Sequence, residues 1–128
     1  MCIFPFLGGT NSWGGTRAEH KNTTEYYKTD TDTFEEGPLL PYEYGLIQHC
    51  LAWKDDDVIM MVGGVIKSTS AGVGFTTVSD VFEFNTRDET FTKITDTAQN
   101  QKSPGCLVLD TASNGKELIV AGGNFSDT

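Results

Sequence analysis

The stretch VFEFNTRDETFTKI, residues 81–94, contains the pattern that decides the fold. Its first half mixes apolar and acidic residues up to Phe84, and a polar-rich run with Phe91 near its start begins six residues later. The residues between them, TRDE (86–89), are typical of a turn. The stretch therefore predicts two short strands joined by a turn, with the second strand at an outer edge of its sheet.

The same seven-residue aromatic spacing occurs 57 residues earlier, at Tyr27 and Phe34. Gly-Gly doublets end three apolar runs, at residues 8–9, 63–64 and 122–123, so successive doublets are 63 − 8 = 55 and 122 − 63 = 59 residues apart. Self-similarity at a period near fifty residues is the sequence mark of propellers and related arrays. We therefore expect an internal repeat.

Each full repeat is predicted to contain four strands, which makes all-β the expected fold class. The predicted strands of the complete repeat are LIQHCLAW (46–53), VIMMV (58–62), VSDVFEFN (78–85) and TFTKI (90–94). The continuous hydrophobicity of the second run indicates a strand that is covered on both faces. The Gly, Ser and Thr residues of 67–74 predict a loop.

The chain resembles tandem kelch repeats, the units of one class of β-propeller blade. The resemblance is carried by NGKELIVAGG (114–123), VFEFNTRDETFTKI (81–94) and TEYYKTDTDTFEEGPLLP (24–41). It departs from the family where the usual Trp of the fourth strand is Phe34 or Phe91, and where the Arg often found before the first strand is absent. The resemblance assigns structural roles to Gly8, Gly9, Tyr27, Phe34, Gly63, Gly64, Phe84, Phe91, Gly122 and Gly123.

The resemblance implies an incomplete β-propeller built from four-stranded antiparallel kelch-type blades. Residues 1–44 would end a first blade with strands two to four, residues 45–104 would form a complete second blade, and residues 105–128 would begin a third. Propellers usually close with four to eight blades. We therefore expect a piece of a larger propeller, a truncated product, or a chain that completes its ring by self-association through open blade edges.

The segment GPLLP (37–41) follows the outermost strand of one predicted blade and leads to the next. Proline rigidity lowers the conformational entropy of a long crossing. We expect Leu39 and Leu40 to pin this crossing against the blade.

Charge and composition limit the partners. Nine basic and eighteen acidic residues give a net charge of −9, which repels phosphate backbones and anionic lipid surfaces. With 38% apolar residues, the 128-residue chain is large enough for one domain with a core. The N-terminal apolar run is broken by Pro5, so neither a signal peptide nor a membrane span is expected.

The three cysteines, Cys2, Cys50 and Cys106, are odd in number and far apart in sequence. This number and spacing of cysteines predict neither a disulfide framework nor a CxxC metal site, and they favour a reduced, cytoplasmic setting. An extracellular location would apply if a signal peptide preceded this chain, and the sequons at Asn22 and Asn124 would then become glycan sites. Cys50 and Cys106 are predicted to be buried structural residues.

Cofactor and metal sites are not expected. His20, His49 and three dispersed thiols do not make a zinc site. The acidic runs at 30–32 and 55–57 lack the glycine and distal glutamate of a calcium loop, so they are interpreted as solvated turns. A catalytic His49-Cys50 pair is disfavoured because the histidine is missing from the repeat at Cys106.

The predicted function is a non-catalytic protein-interaction or scaffold module that uses loops on one propeller face. In an up-and-down blade, the loop after strand two and the connection after strand four emerge on the same face. The candidate partner-binding residues in these loops are Trp13, Arg17, Tyr42, Tyr44, Lys67, Ser70, Phe75, Lys102 and Ser103. The alternatives are an inactive or truncated fragment of a larger kelch propeller and a kelch-type oxidase or sugar isomerase, which would need reactive groups from several blades.

Overall fold

The structure, a computed structural model, describes residues 3–7, 21–67, 75–111 and 115–123. Every element in these segments is a strand: β1 (Ile3–Leu7), β2 (Thr24–Lys28), β3 (Thr33–Glu36), β4 (Leu46–Ile47), β5 (Cys50–Trp53), β6 (Val58–Val62), β7 (Val65–Lys67), β8 (Phe75–Asn85), β9 (Thr90–Gln101), β10 (Gly105–Asp110) and β11 (Lys116–Ala121). The predicted all-β class is confirmed. Within the described segments, no helix has the length and apolarity needed to span a bilayer.

The chain divides into two compact units. The first comprises Met1–Ile47 and Ile66–Gly74, and the second comprises Gln48–Val65 and Phe75–Thr128. Several predicted residues lie outside the described part of the chain, namely Gly8, Gly9, Trp13, Arg17, His20, Ser70 and Asn124.

The first unit contains an antiparallel sheet in the order β1-β2-β3. Tyr27 stands directly opposite Phe34 on the neighbouring strand, and the centroids of the two rings are 5.2 Å apart. The loop between them ends at Asp32, which has a φ of 55°. Cross-strand aromatic pairs of this kind stabilise a hairpin and fix its register.

The crossing after β3 turns back along the start of β2. The Gly37 amide donates to the Thr24 carbonyl at 2.9 Å, and the Thr24 hydroxyl donates to the Pro38 carbonyl at 2.6 Å. Leu40 is 5% exposed, so its predicted role in pinning the crossing is confirmed. The same prediction is wrong for Leu39, which is 63% exposed, because successive residues of an extended segment point to opposite sides.

In the second unit, β5, β6, β8 and β9 are successive antiparallel neighbours. β6 coincides with the predicted run 58–62, and four of its five residues are buried, as the prediction of a strand covered on both faces requires. β8 and β9 are longer than predicted, because β8 begins at Phe75 and β9 continues to Gln101. Register shifts between Val78 and Asp80 and between Val81 and Phe82 mark irregularities of the bulge type, which bend long strands.

The hairpin of β8 and β9 repeats the geometry of the hairpin of β2 and β3. Phe84 stands opposite Phe91 with stacked rings 4.5 Å apart, in the register that Tyr27 and Phe34 adopt. Glu89 has a φ of 56°, matching Asp32 at the same place in its loop. The two hairpins therefore share the register that the aromatic spacing predicts, although Phe84 is fully buried and its counterpart Tyr27 is half-buried.

β10 and β11 form a separate two-stranded antiparallel sheet. One face of this hairpin packs its half-buried apolar side chains against a buried cluster of Met60, Val62 and Val81; these side chains are Cys106, Val108, Leu118 and Val120. The opposite face leaves Leu107, Leu109 and Ile119 between 39% and 48% exposed.

Each of the two packed faces carries one cysteine. Cys50 stands opposite Val62 on the first face, and Cys106 stands opposite Val120 on the second.

Cys50 and Cys106 form a disulfide bond, with their Cα atoms 6.0 Å apart. The prediction of unpaired, reduced cysteines is wrong for these two residues. A sequence separation of 56 residues hides the pairing, because the two cysteines meet only when the β10–β11 hairpin packs on the face that carries Met60, Val62 and Val81. Because these two cysteines are bonded, cysteine usage no longer favours a reducing compartment. The cytoplasmic location stays a prediction.

Candidate functional site

The predicted partner-binding residues of the first unit lie in a turn and at a strand end. Tyr42 and Tyr44 share the turn that is closed by a 3.1 Å hydrogen bond from the Gly45 amide to the Tyr42 carbonyl, and both are half-buried. Lys67 is the last residue of β7 and is also half-buried. The structure therefore brings the two tyrosines together, and the prediction that Lys67 belongs to a loop is wrong.

In the second unit, Lys102 and Ser103 lie in the connection between β9 and β10, as predicted. The Ser103 amide donates to the Gln48 carbonyl at 2.8 Å, which holds this connection close to the segment before β5. Phe75 was expected in a loop, but it is the first residue of β8 and is 38% exposed. The apolar side chain and the Thr residues after it have high strand propensity, which explains the earlier start.

The second unit contains an open cleft of about 480 Å³ that the sequence pattern did not single out. It lies where the end of β5 and the following turn meet the turn end of the β10–β11 hairpin. Its lining residues are Trp53, Lys54, Asp55, Asp56, Val108, Asp110 and Lys116. We refer to these seven residues as the acidic cleft.

The turn after β5 fixes the acidic residues of one wall. A carboxylate oxygen of Asp55 accepts hydrogen bonds from the amides of Asp57 and Val58 at 3.0 and 3.1 Å. The Lys54 amide donates to the Val58 carbonyl at 2.8 Å, which closes the turn. This is an Asx-type turn, in which an Asp side chain replaces a backbone partner. The run DDD (55–57) is thus an ordered turn.

The two lysines of the acidic cleft already have carboxylate partners. The Nζ of Lys54 lies 2.5 Å from Glu83 Oε1, and the Nζ of Lys116 lies 2.7 Å from Asp110 Oδ1. The hydrogen bond to Asp110 raises the pKa of Lys116 above its usual value, and the charges of Asp110, Asp55 and Asp56 add to this effect. Lys116 therefore stays protonated at neutral pH, and the three aspartates of the cleft outnumber its two lysines.

Trp53 supplies an aromatic surface in the acidic cleft. It is the last residue of β5 and is 46% exposed. An exposed indole beside carboxylates suits a cation, because the ring face attracts positive charge and the carboxylates pair with it. Sequence reasoning missed this residue because it counted Trp53 within a strand, although a Trp followed by four charged residues was the available signal.

Of the cysteines that the structure describes, Cys50 and Cys106 are bonded to each other and offer no free thiol. Among the described residues, no group of three or more His, Cys, Asp or Glu side chains is arranged to hold a metal ion. No protein-family profile matches the sequence, and comparison with curated proteins also gives no match.

Proposed function

We propose that the protein is a non-catalytic interaction module whose acidic cleft binds a basic segment of a partner protein. The observation that carries this proposal is the exposed indole of Trp53 in a cleft that Asp55 and Asp56 also line, and whose two lysines are already paired with Glu83 and Asp110. Arginine and lysine side chains have the charge and the donor groups that this arrangement recognises.

The charge of the whole chain supports the same choice of partner. A net charge of −9 attracts basic proteins over the distance of a Debye length and raises their association rate. The proposed interaction is therefore expected to weaken as the salt concentration increases.

The resemblance to kelch repeats supports an interaction role, because most members of that family recognise or scaffold other proteins. The matching registers of the Tyr27–Phe34 and Phe84–Phe91 hairpins are consistent with repeated units. We propose the loop residues Tyr42, Tyr44, Lys102 and Ser103 as secondary contacts.

Isothermal titration calorimetry with a short acetylated arginine-glycine peptide tests the proposal. We expect the peptide to bind, and we expect Asp56→Asn and Trp53→Ala each to weaken binding about three- to ten-fold. Asp88→Asn is the matched control, because it makes the same charge change at an exposed turn that does not line the cleft. Equal binding of a glutamate-glycine peptide, or equal losses in the control, would count against the proposal.

A second candidate is an array of kelch-type repeats in which a further sheet covers the β10–β11 hairpin. The exposed side chains of Leu107, Leu109 and Ile119 favour it, because repeat units bury such faces against their neighbours. Light scattering after size-exclusion chromatography of the chain tests this candidate. Association that is reduced by Leu107→Lys supports it, and a monomer with cooperative unfolding contradicts it.

A further inference from the structure

The Cys50–Cys106 disulfide connects two parts of the second unit, the β10–β11 hairpin and the sheet that contains β5. β10 and β11 are hydrogen bonded to each other as a two-stranded sheet. A single hairpin is marginally stable in water unless it packs on another element. The stability of this hairpin therefore depends on what attaches it to the rest of the unit.

The apolar attachment of the hairpin is limited. The four side chains that pack on Met60, Val62 and Val81 are all only partly buried. By contrast, the sheet that carries the cluster has a second set of buried residues on its other face, including Met61 at 1% and Phe84 at 0% exposure. The sheet retains these contacts without the hairpin, whereas the hairpin loses its only described core contacts when it leaves.

We propose that the Cys50–Cys106 disulfide is a redox latch that holds the β10–β11 hairpin on the sheet of β5, β6, β8 and β9. Reduction releases the hairpin and uncovers the apolar faces of both partners, while the sheet stays folded. The acidic cleft opens at the same time, because its walls come from both sides of the latch.

The chemistry requires a dithiol reductant. One thiolate of the reductant attacks a sulfur of the disulfide, the Cys50–Cys106 bond breaks, and a mixed disulfide forms with one cysteine. The second thiol of the reductant then displaces that cysteine. Two electrons and two protons pass to the protein, both cysteines end as thiols, and the reductant ends as a cyclic disulfide. Both cysteine residues are half-buried.

Hydrogen exchange of the backbone amides tests the latch in the Cys2→Ser chain, in which only one cysteine pair can form. We compare the oxidised protein with the same protein in dithiothreitol, and with the Cys50→Ser/Cys106→Ser variant of this chain. Amides of β10 and β11 are expected to exchange roughly 100-fold faster without the disulfide, and those of β6 and β8 less than about 10-fold faster. Removing the dithiol and reoxidising should restore the slow exchange.

Two outcomes overturn the proposal. If the hairpin amides keep their protection in dithiothreitol after thiol titration has shown complete reduction, the apolar contacts alone hold the hairpin. If all strands of the unit lose protection by the same factor, including a failure of the reduced chain to fold, the disulfide is a general staple and not a latch.

Discussion

Two glycines show how single residues determine the local backbone. Gly63 has a φ of +63°, and a Cβ at this position would lie 2.7 Å from the Cβ and carbonyl oxygen of Gln101. Gly122 has a similar φ of +70°, but no atom lies within 4 Å of the corresponding Cβ position. Both glycines need the left-handed conformation, and only Gly63 also needs the space.

Alanine substitution of these glycines separates the two effects. Gly122→Ala should lower the free energy of unfolding by about 1 kcal/mol, which is the cost of a left-handed alanine. Gly63→Ala should lower the free energy of unfolding by about 1 to 3 kcal/mol more than Gly122→Ala does, because neighbouring atoms must also move. Urea denaturation measures both values. Equal losses would show that the close approach of Gln101 does not constrain Gly63.

The Lys93 side chain controls the titration of a neighbouring carboxyl. Its Nζ lies 3.2 Å from Asp96 Oδ1, and the Ser79 hydroxyl donates to the same oxygen at 3.0 Å. The hydrogen bonds from Lys93 and Ser79 lower the pKa of Asp96 below its usual value of 3.8. The stabilisation from this lowered pKa is therefore present above pH 3.8 and is lost as the pH falls through the lower, folded-state pKa.

Lys93→Gln should raise the pKa of Asp96 towards 3.8, because it removes the larger of the two causes. NMR titration of the Asp96 carboxyl carbon measures the change. Lys28→Gln serves as the control, since Lys28 pairs with Glu35 at 2.6 Å in the first unit. A pKa of Asp96 that is unaffected by Lys93→Gln would contradict the assigned ion pair.

The crossing segment after β3 offers a test with two adjacent leucines. Leu40 is 5% exposed and Leu39 is 63% exposed. Leu40→Ala should therefore lower the free energy of unfolding by about 2 to 4 kcal/mol, whereas Leu39→Ala should change it by less than about 1 kcal/mol. Denaturant unfolding followed by tyrosine fluorescence gives both values. Similar losses for the two variants would mean that the crossing does not pack as described.

The two aromatic hairpins share a register but differ in burial, so their contributions should differ. Phe91 stacks on the fully buried Phe84, and Phe34 contacts Tyr27 at an exposed site. Phe91→Ala is expected to cost about 3 kcal/mol of unfolding free energy, and Phe34→Ala about 1 kcal/mol. Thermal denaturation monitored by circular dichroism compares the two variants. A larger cost for Phe34→Ala than for Phe91→Ala would contradict the burial of the Phe84–Phe91 pair.

At the level of elements, the sequence predicted β6 and the aromatic hairpins. The hairpin prediction succeeded because the seven-residue spacing of Phe84 and Phe91 fits two strands and a four-residue loop, a local relation. The prediction of one strand over 46–53 is wrong, because the chain forms two strands there, β4 and β5, and Gln48 between them has a φ of 54°. The continuation of β9 to Gln101 could not be predicted in this way, since the polar run after Ile94 has no alternating pattern. Its pairing with the long β8 determines its length.

The packing between elements was not accessible from the repeat pattern. The spacing of Cys50 and Cys106 indicated equivalent positions in the repeat, but it did not indicate which faces of their strands pack together. The acidic cleft was missed for a related reason, because Trp53 and Lys116 meet only when the hairpin packs on the sheet. Contacts of this kind depend on which sheet faces meet, and sequence spacing does not specify that.

On the scale of the whole molecule, the Gly-Gly doublets and the cysteines of the two repeats differ in register by one residue. Gly63 follows the partner of Cys50 directly, whereas Gly122 comes two residues after the partner of Cys106. A shift of one residue exchanges the faces of a strand. In these two hairpins, either the Gly-Gly doublets or the cysteines can occupy equivalent positions, but not both. The disulfide joins the two strand faces on which the cysteines lie.

The charge of the whole molecule predicts the salt dependence of the proposed binding. Raising the ionic strength from 0.05 to about 0.5 M shortens the Debye length from roughly 14 to 4 Å. The affinity for the arginine-glycine peptide should then fall at least about ten-fold, since exposed charges carry the attraction. Calorimetric titrations at the two salt concentrations measure the ratio. An affinity that is independent of salt would point to apolar recognition instead.

The most direct test of the proposed function is NMR chemical-shift mapping of the uniformly labelled, oxidised chain during titration with the arginine-glycine peptide. The account predicts that the largest shifts occur at the Trp53 indole and at the amides of Asp55, Asp56 and Lys116. Shifts centred on Tyr42 and Tyr44, or no saturable shifts at the acidic cleft, would contradict it.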